Sequence, residues 1–483
     1  MTPIEILMPA LSPTGGSASL VKWLVNAGDA VREGDIIAEI AAGSSTMEVE
    51  AMHAGVVARL LVDAGPDDVS TGTPIAELVV GGTASAGAVS AGGDIEGSAP
   101  GPSDPRCDTR RAETAQEAEP VRMVAAAMTE QTTRDALREA LTEEMRRDGD
   151  VFVMGEGVGQ PAGAFAVCAG LIEEFGARRI IDTPIVEQGF TGLAAGAAMA
   201  GLKPVVEFMN WSFAMQAIDQ IVNMAAKTRY RSGGRIALPI VLRGPNGASL
   251  RAAAQHVQCF SSWYAHVPGL KVVAPSTPAD AKGLLKSAIR DRGPVLVLEH
   301  EMLYGTVGPV AQGDAALVPI GSAKVVREGR HVTLVSFARG MVHTLEAAEA
   351  LAAEGIEADV VDLRSLRPLD IETVLASVRK TNRIVTVEEA WPVCSIGSEI
   401  CAQVAIRAFD HLDAPPVKVS GADVPMPYAA NLEALALPTA AQIVAIGCGN
   451  AVGRLPNRNA RDDGQYGMAL RWYAENLNET EFG

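Results

Sequence analysis

The chain has 483 residues, too many for one ordinary hydrophobic core; at roughly 100–200 residues per domain, two to four domains are expected. Hydrophobic residues make up 48% and charged residues 20%, as in a globular chain, and a formal net charge of −18 argues against a nucleic-acid partner. The longest run of apolar and small residues, 190–202, falls short of the ~18 residues that a membrane span needs, so no membrane role is expected. The six cysteines (107, 168, 259, 394, 401 and 448) show no CxxC spacing, which favours reduced thiols. The start, Met1-Thr2-Pro3-Ile4-Glu5, has neither a secretory pattern nor an Arg-rich transit pattern, and the expected location is a bacterial-type cytoplasm.

The first 80 residues contain an internal repeat. Val25-Asn26-Ala27-Gly28 returns as Val62-Asp63-Ala64-Gly65, and Gly34, Ile37, Ala38 and Glu39 return as Gly72, Ile75, Ala76 and Glu77. The runs around these turns are short, β-rich and punctuated by Gly and Asp, so two copies of a small sheet should pack face to face, with an exposed hairpin at 41–45. Residues 81–124 are rich in Ala, Gly, Ser and Pro, then in mixed charges; such a composition cannot bury enough apolar surface to offset ordering entropy and predicts a flexible tether. Thr132-Thr133-Arg134-Asp135 then fits a helix-capping box, with Leu137, Leu141 and Met145 at helical spacing behind it.

From there the pattern is α/β. Strands are predicted at 151–154, 205–208, 239–242, 271–273 and 295–299 with helical stretches between them, which implies a mainly parallel sheet covered by helices. A third unit repeats the scheme, with strands at 332–337, 358–362 and 384–387 and helices at 341–354 and 371–381. The run Gly189 to Ala200 places small residues four apart, which allows another backbone to approach closely and predicts a subunit interface, with simple intradomain packing as the alternative. The stretch 448–483 has no assignable role.

Two resemblances follow from quoted segments. Gly34-Asp35-Ile36-Ile37-Ala38-Glu39-Ile40 and Thr46-Met47-Glu48-Val49-Glu50-Ala51, flanking the hairpin, resemble a lipoyl domain. The family's lipoylated lysine position is Ser44 here, which has no amine to acylate, so the resemblance implies the fold without the carrier function. Further along, Asp182-Thr183-Pro184-Ile185-Val186-Glu187-Gln188-Gly189-Phe190, Glu207-Phe208-Met209, Arg243-Gly244-Pro245-Asn246-Gly247-Ala248, Ala254-Gln255-His256 and Gly421-Ala422-Asp423-Val424-Pro425-Met426-Pro427-Tyr428 resemble the beta subunit of the decarboxylase component of 2-oxo acid dehydrogenase complexes, most closely the pyruvate type. The implied architecture is multidomain: a lipoyl-like all-β sandwich (1–80), a linker (81–124), an α/β pyrimidine-binding domain (125–305), a transketolase C-terminal-like α/β domain (318–447) and a tail (448–483).

The resemblance implies thiamine diphosphate as cofactor. Glu187 matches the glutamate that hydrogen-bonds the aminopyrimidine and so favours the tautomer that removes the thiazolium proton; a plain helix-N-terminal glutamate is the alternative. Phe213 matches the aromatic on the aminopyrimidine, with core filling as its alternative, and Glu156 matches a cofactor-side glutamate in a Gly-Glu-Glu pattern whose second glutamate is Gly157 here. His256 matches the histidine that passes a proton during acyl transfer to a lipoyl sulfur, and His266 has a counterpart as well. A potassium ion held by backbone carbonyls would sit at Ile240, Ala288, Ile289, Asp291 and Gly293. The Gly-Asp-Gly…Asn segment that holds diphosphate through a divalent metal is missing, so an alpha subunit is expected to supply the magnesium site in a heterotetramer, with a dihydrolipoyl acyltransferase component as downstream partner. A branched-chain or acetoin-type relative, or a non-catalytic scaffold, are the rival readings.

Overall fold

The computed structural model describes residues 4–8, 17–32, 35–42, 45–51, 53–65, 68–70, 72–79, 128–160, 163–249 and 252–451. Ser44, the predicted tether at 81–124 and residues 452–483 lie outside them. The chain divides into two compact units, Met1–Gln116 and Glu117–Gly483.

The first unit holds eight strands among its described residues: β1 (Ile4–Leu7), β2 (Ser17–Trp23), β3 (Ala30–Val31), β4 (Ile36–Ala42), β5 (Ser45–Glu50), β6 (Gly55–Leu60), β7 (Asp68–Ser70) and β8 (Pro74–Val79). They form two four-stranded sheets, ordered β1-β8-β6-β3 and β5-β4-β2-β7. Replacing each strand by its counterpart in the other half turns the first order into the second, which is the two-fold relation that the repeat implies. Each sheet nevertheless takes two strands from each half, so neither half closes a sheet by itself. Leu20, Ile37, Ile40, Val57, Ile75 and Leu78 form the core, each burial contributing about 1.5–3 kcal/mol. The β4–β5 hairpin is paired out to Ala42 and Ser45.

In the second unit the elements are β9 (Met128–Thr132), α1 (Thr133–Arg147), β10 (Val151–Gly155), α2 (Leu171–Phe175), β11 (Ile180–Asp182), α3 (Glu187–Met199), β12 (Lys203–Glu207), α4 (Ala226–Arg231), β13 (Val241–Pro245), α5 (Ser261–Ala265), β14 (Lys271–Val273), α6 (Pro278–Arg290), β15 (Val295–Glu299) and β16 (Val307–Ala311). There follow β17 (Lys324–Arg327), β18 (Val332–Ser336), α7 (Gly340–Ala353), β19 (Ala358–Asp362), β20 (Ser365–Arg367), α8 (Ile371–Thr381), β21 (Ile384–Val387), α9 (Ile396–Arg407), β22 (Val417–Val419), α10 (Ala430–Ala436) and α11 (Ala440–Ala451). Thr132 caps α1 as its sequence predicts, accepting from the Asp135 amide at 3.1 Å, but Asp135 returns the bond to the Thr132 hydroxyl rather than to backbone.

The larger sheet runs β11-β10-β12-β13-β15-β14-β20, and its first six strands are parallel. The last, β20, comes from the following α/β layer and adds antiparallel to β14, pairing Val272 with Arg367. The smaller sheet, β17-β19-β18-β21-β22, is parallel apart from its β17 edge. Both are near-continuous Val, Ile and Leu runs, as strands covered on both faces should be. The apolar stretch Ala430–Gly449 has the length and hydropathy of a membrane span, yet Pro438 separates α10 from α11 and Ile443 is fully buried in the core of the smaller layer.

Candidate functional site

In parallel α/β sheets, ligands bind beyond the carboxyl ends of the strands. Glu156 follows β10, Glu187 follows β11, Phe213 follows β12 and His256 follows β13, so the four candidate residues come from the same edge of four neighbouring strands. This common edge is what brings together residues a hundred positions apart.

Glu187 is the first residue of α3. It is 2% exposed, and its Oε2 has no hydrogen-bond partner. The position combines both sequence readings: the carboxylate sits at a helix N-terminus, where the dipole favours it, and it also carries an orphan oxygen. Glu156 is 4% exposed, and its Oε1 is likewise without a partner. Burial, and secondly the negative charge of Glu187, push the Glu156 carboxyl up to about 7. Two buried acids with spare acceptor oxygens are costly unless a ligand satisfies them.

The Glu156 shift has a measurable consequence. Folded Glu156 keeps its proton to higher pH than it does unfolded, so this group's contribution to stability falls as pH rises from about 4.5 to about 7 and is level beyond. Glu156→Gln, which cannot ionise, is expected to raise the melting temperature relative to wild type by more at pH 8 than at pH 5. Equal differences at the two pH values would refute the assignment.

Phe213 is half-buried, and its ring meets the exposed His256 imidazole edge-on, with centroids 5.0 Å apart and planes at 88°. The Asn210 amide donates to the His256 carbonyl at 2.8 Å, which fixes the backbone that carries the imidazole. Gly157 has φ +72°, a left-handed conformation that strains a glutamate, so the departure from Gly-Glu-Glu goes with a turn closed by the Gln160 amide on the Gly157 carbonyl. Val186, before Glu187, is exposed and makes no side-chain cap.

His266 and the predicted potassium positions lie elsewhere. His266 lines a groove of about 690 Å³ with Arg367, Cys394 and Glu399, between the two α/β layers. The five positions read as potassium ligands gather at the end of α6 and the strands beside it. There the Ile240 carbonyl already accepts from the Val295 amide and the Ala288 carbonyl from the Asp291 amide, while Lys271 Nζ pairs with Asp291 at 2.5 Å. No cluster of three metal-ligating side chains occurs among the described residues.

Beneath the site is a network that motif reading passed over. Glu207, Arg243 and Glu299 stand at or near the carboxyl ends of the paired strands β12, β13 and β15, all nearly fully buried. Arg243 forks onto Glu299 and also bonds Glu207; Tyr304 donates to Glu299 at 2.7 Å and the Cys168 thiol to Glu207 at 3.0 Å. Burial alone would lower the Arg243 pKa, but the two carboxylates outweigh it and hold the guanidinium above its ordinary value. The available signal was a charged residue near the end of each of three buried apolar runs.

Family models match three stretches: "Biotin-requiring enzyme" at 4–78, "Transketolase, pyrimidine binding domain" at 129–306 and "Transketolase, C-terminal domain" at 321–443. The "Pyruvate dehydrogenase E1 component subunit beta" of Rhizobium meliloti is 52% identical over 456 residues, covering 92% of this chain and 98% of that protein. The chain belongs to the pyruvate dehydrogenase E1 beta-subunit family. Mitochondrial members of the family are similar as well: that of Caenorhabditis elegans is 57% identical over 65% of this chain and 90% of its own, and the human one 55% identical over 65% and 88%. The E1 beta fold also matches a solved "split gene transketolase, inactive beta4 tetramer" with TM-score 0.55 and 24% identity, covering 67% of this chain and 99% of that one. The lipoyl-type and transketolase-type folds expected from the sequence are thus the folds of this chain.

Proposed function

We propose that the chain is the beta half of a thiamine-diphosphate-dependent pyruvate dehydrogenase, which with an alpha subunit decarboxylates pyruvate and reductively acetylates a lipoyl group on an acyltransferase component. The observation that carries this reading is the orphan Oε2 of buried Glu187 beside the orphan Oε1 of Glu156, at the carboxyl edge of the sheet in a chain of this family.

The donor set fits the aminopyrimidine end of the cofactor. Glu187 would hold the proton at ring nitrogen N1′, Phe213 would cover a ring face and Glu156 would take a second polar atom. Bound thiamine diphosphate supplies the electron sink that decarboxylation needs. With its carboxyl pushed up to about 7, Glu156 can donate as well as accept while it holds its proton, which limits the second negative charge beside Glu187. His256, exposed and oriented by Phe213 and Asn210, would move a proton to or from a lipoyl sulfur.

The alpha subunit would meet the site from the α3 side. Ile185, Val186 and Leu193 are 77%, 46% and 64% exposed there, and Gly196 has open space where a side chain would be. It would bring the diphosphate and its magnesium; a potassium ion at the end of α6 belongs to the same reading. The same reading keeps the domain limits expected from the sequence, and it takes the sandwich to carry no lipoate because Ser44 has no amine.

The test is reconstitution. Together with its alpha subunit, magnesium and thiamine diphosphate, the chain is expected to acetylate a lipoyl domain from pyruvate at the highest kcat/KM among pyruvate, 3-methyl-2-oxobutanoate and acetoin, and to be inactive alone. Preference for either other substrate overturns the assignment.

A further inference from the structure

Outside the orphan carboxylates, a second polar contact reaches the loop that ends in His256, and it comes from the other α/β layer. Glu389 lies two residues beyond β21, and His300 immediately follows β15. Their side chains are only 7% and 3% exposed. His300 Nε2 stands 2.9 Å from Glu389 Oε2. The Met302 amide donates to His300 Nδ1 at 3.2 Å, so the ring's Nε2–H is the group that donates a hydrogen bond to Glu389. The same Oε2 accepts from the Ala248 amide at 3.3 Å, and Arg339 approaches the other oxygen at 3.8 Å. Burial pushes the Glu389 carboxyl up, but His300, Arg339 and the Ala248 amide outweigh it and hold it below its ordinary value.

The pair is packed against one point of the loop. Gly247 has φ +91°, and a Cβ there would lie 2.8 Å from Glu389 Oε2 and 3.1 Å from His300 Nε2. The Gly247 amide donates to the Gln258 carbonyl at 3.1 Å, and Asn246 Oδ1 accepts from the Phe260 amide at 2.8 Å. These bonds close the loop on itself two residues past His256. Glu389 and His300 therefore grip one side of the closure and Asn210 the other.

We propose that Glu389, acting with His300, is a positioning residue that holds the His256 loop closed, so that the C-terminal α/β layer sets the geometry of acyl transfer without touching the reactants. The inference rests on the reading of His256 given above. A misplacement of about 1 Å at such a group costs up to about 100-fold in rate, whereas the pyrimidine-side residues Glu187 and Glu156 are held by other strands and should be unaffected.

The experiment uses the full chain assembled with its alpha subunit and separates two half-reactions. Pyruvate-dependent ferricyanide reduction reads decarboxylation alone; acetylation of a free lipoyl domain adds acyl transfer. Glu389→Ala is expected to slow acetylation about 10- to 100-fold and ferricyanide reduction less than about twofold. Glu389→Gln, which still accepts from Ala248 and His300, should recover most of the loss. Hydrogen exchange at 252–258, measured on the purified full chain, should speed up in Glu389→Ala and stay near wild type in Glu389→Gln. A proportional fall in both half-reactions, or no change in either, overturns the proposal. If wild type fails to decarboxylate pyruvate with its alpha subunit, the functional reading falls instead; unchanged exchange at 252–258 would then still overturn the positioning role.

Discussion

Glu187→Gln is expected to lower pyruvate turnover of the reconstituted enzyme by about 10²–10⁴-fold, the range in which a positioned acid or base contributes. Glutamine keeps the size of the side chain and one acceptor oxygen but cannot hold the proton that the cofactor ring must share. Folding should respond very differently. The replaced oxygen has no partner in the protein and the charge sits in the first turn of α3, so stability should stay within about 1 kcal/mol of wild type. Glu156, whose upward shift owes its second cause to Glu187, should titrate at lower pH in this variant. Steady-state kinetics and thermal melting on one preparation check both halves, and wild-type turnover would remove the catalytic account.

Arg243→Leu should give the largest loss of folding stability. It strands Glu207 and Glu299, two nearly buried carboxylates, in an apolar interior without their cation. Breaking a buried pair in this way costs about 3–5 kcal/mol, because the penalty is the uncompensated charge rather than the lost contact. A urea titration of the purified chain should show a matching fall in midpoint. Neutralising the whole group, with Glu207→Gln and Glu299→Gln added to Arg243→Met, should return more than half of the loss. A single variant within about 1 kcal/mol of wild type would mean that water reaches the carboxylates.

Much of this molecule could be read from its residues, for a physical reason in each case. Strands β14, β15, β19 and β21 and helix α8 fall where the apolar runs and their breakers placed them, since buried parallel strands leave uninterrupted Val, Ile and Leu. The four candidate residues were named through the resemblance of their segments to a family, and the sheet sets them at one edge because they come after β10, β11, β12 and β13. Three features were not legible. The short strand β20 owes its pairing to a neighbour in the other layer rather than to its own three residues. The exchange of strands between halves of the sandwich depends on which turn crosses between sheets, which a repeat alone does not encode. Glu389 and His300 are 89 positions apart, and nothing local in either marks a partner.

The pairing of β20 with β14 has a practical bearing on dissection of the gene. A product ended near residue 320, where the family models would place the join, loses the strand that covers the flank of the seven-stranded sheet. Its Lys271–Val273 margin would then present unpaired amides and carbonyls to any neighbouring molecule, an invitation to intermolecular stacking. The two layers are stitched by backbone, and a cut that follows homology boundaries would sever a sheet.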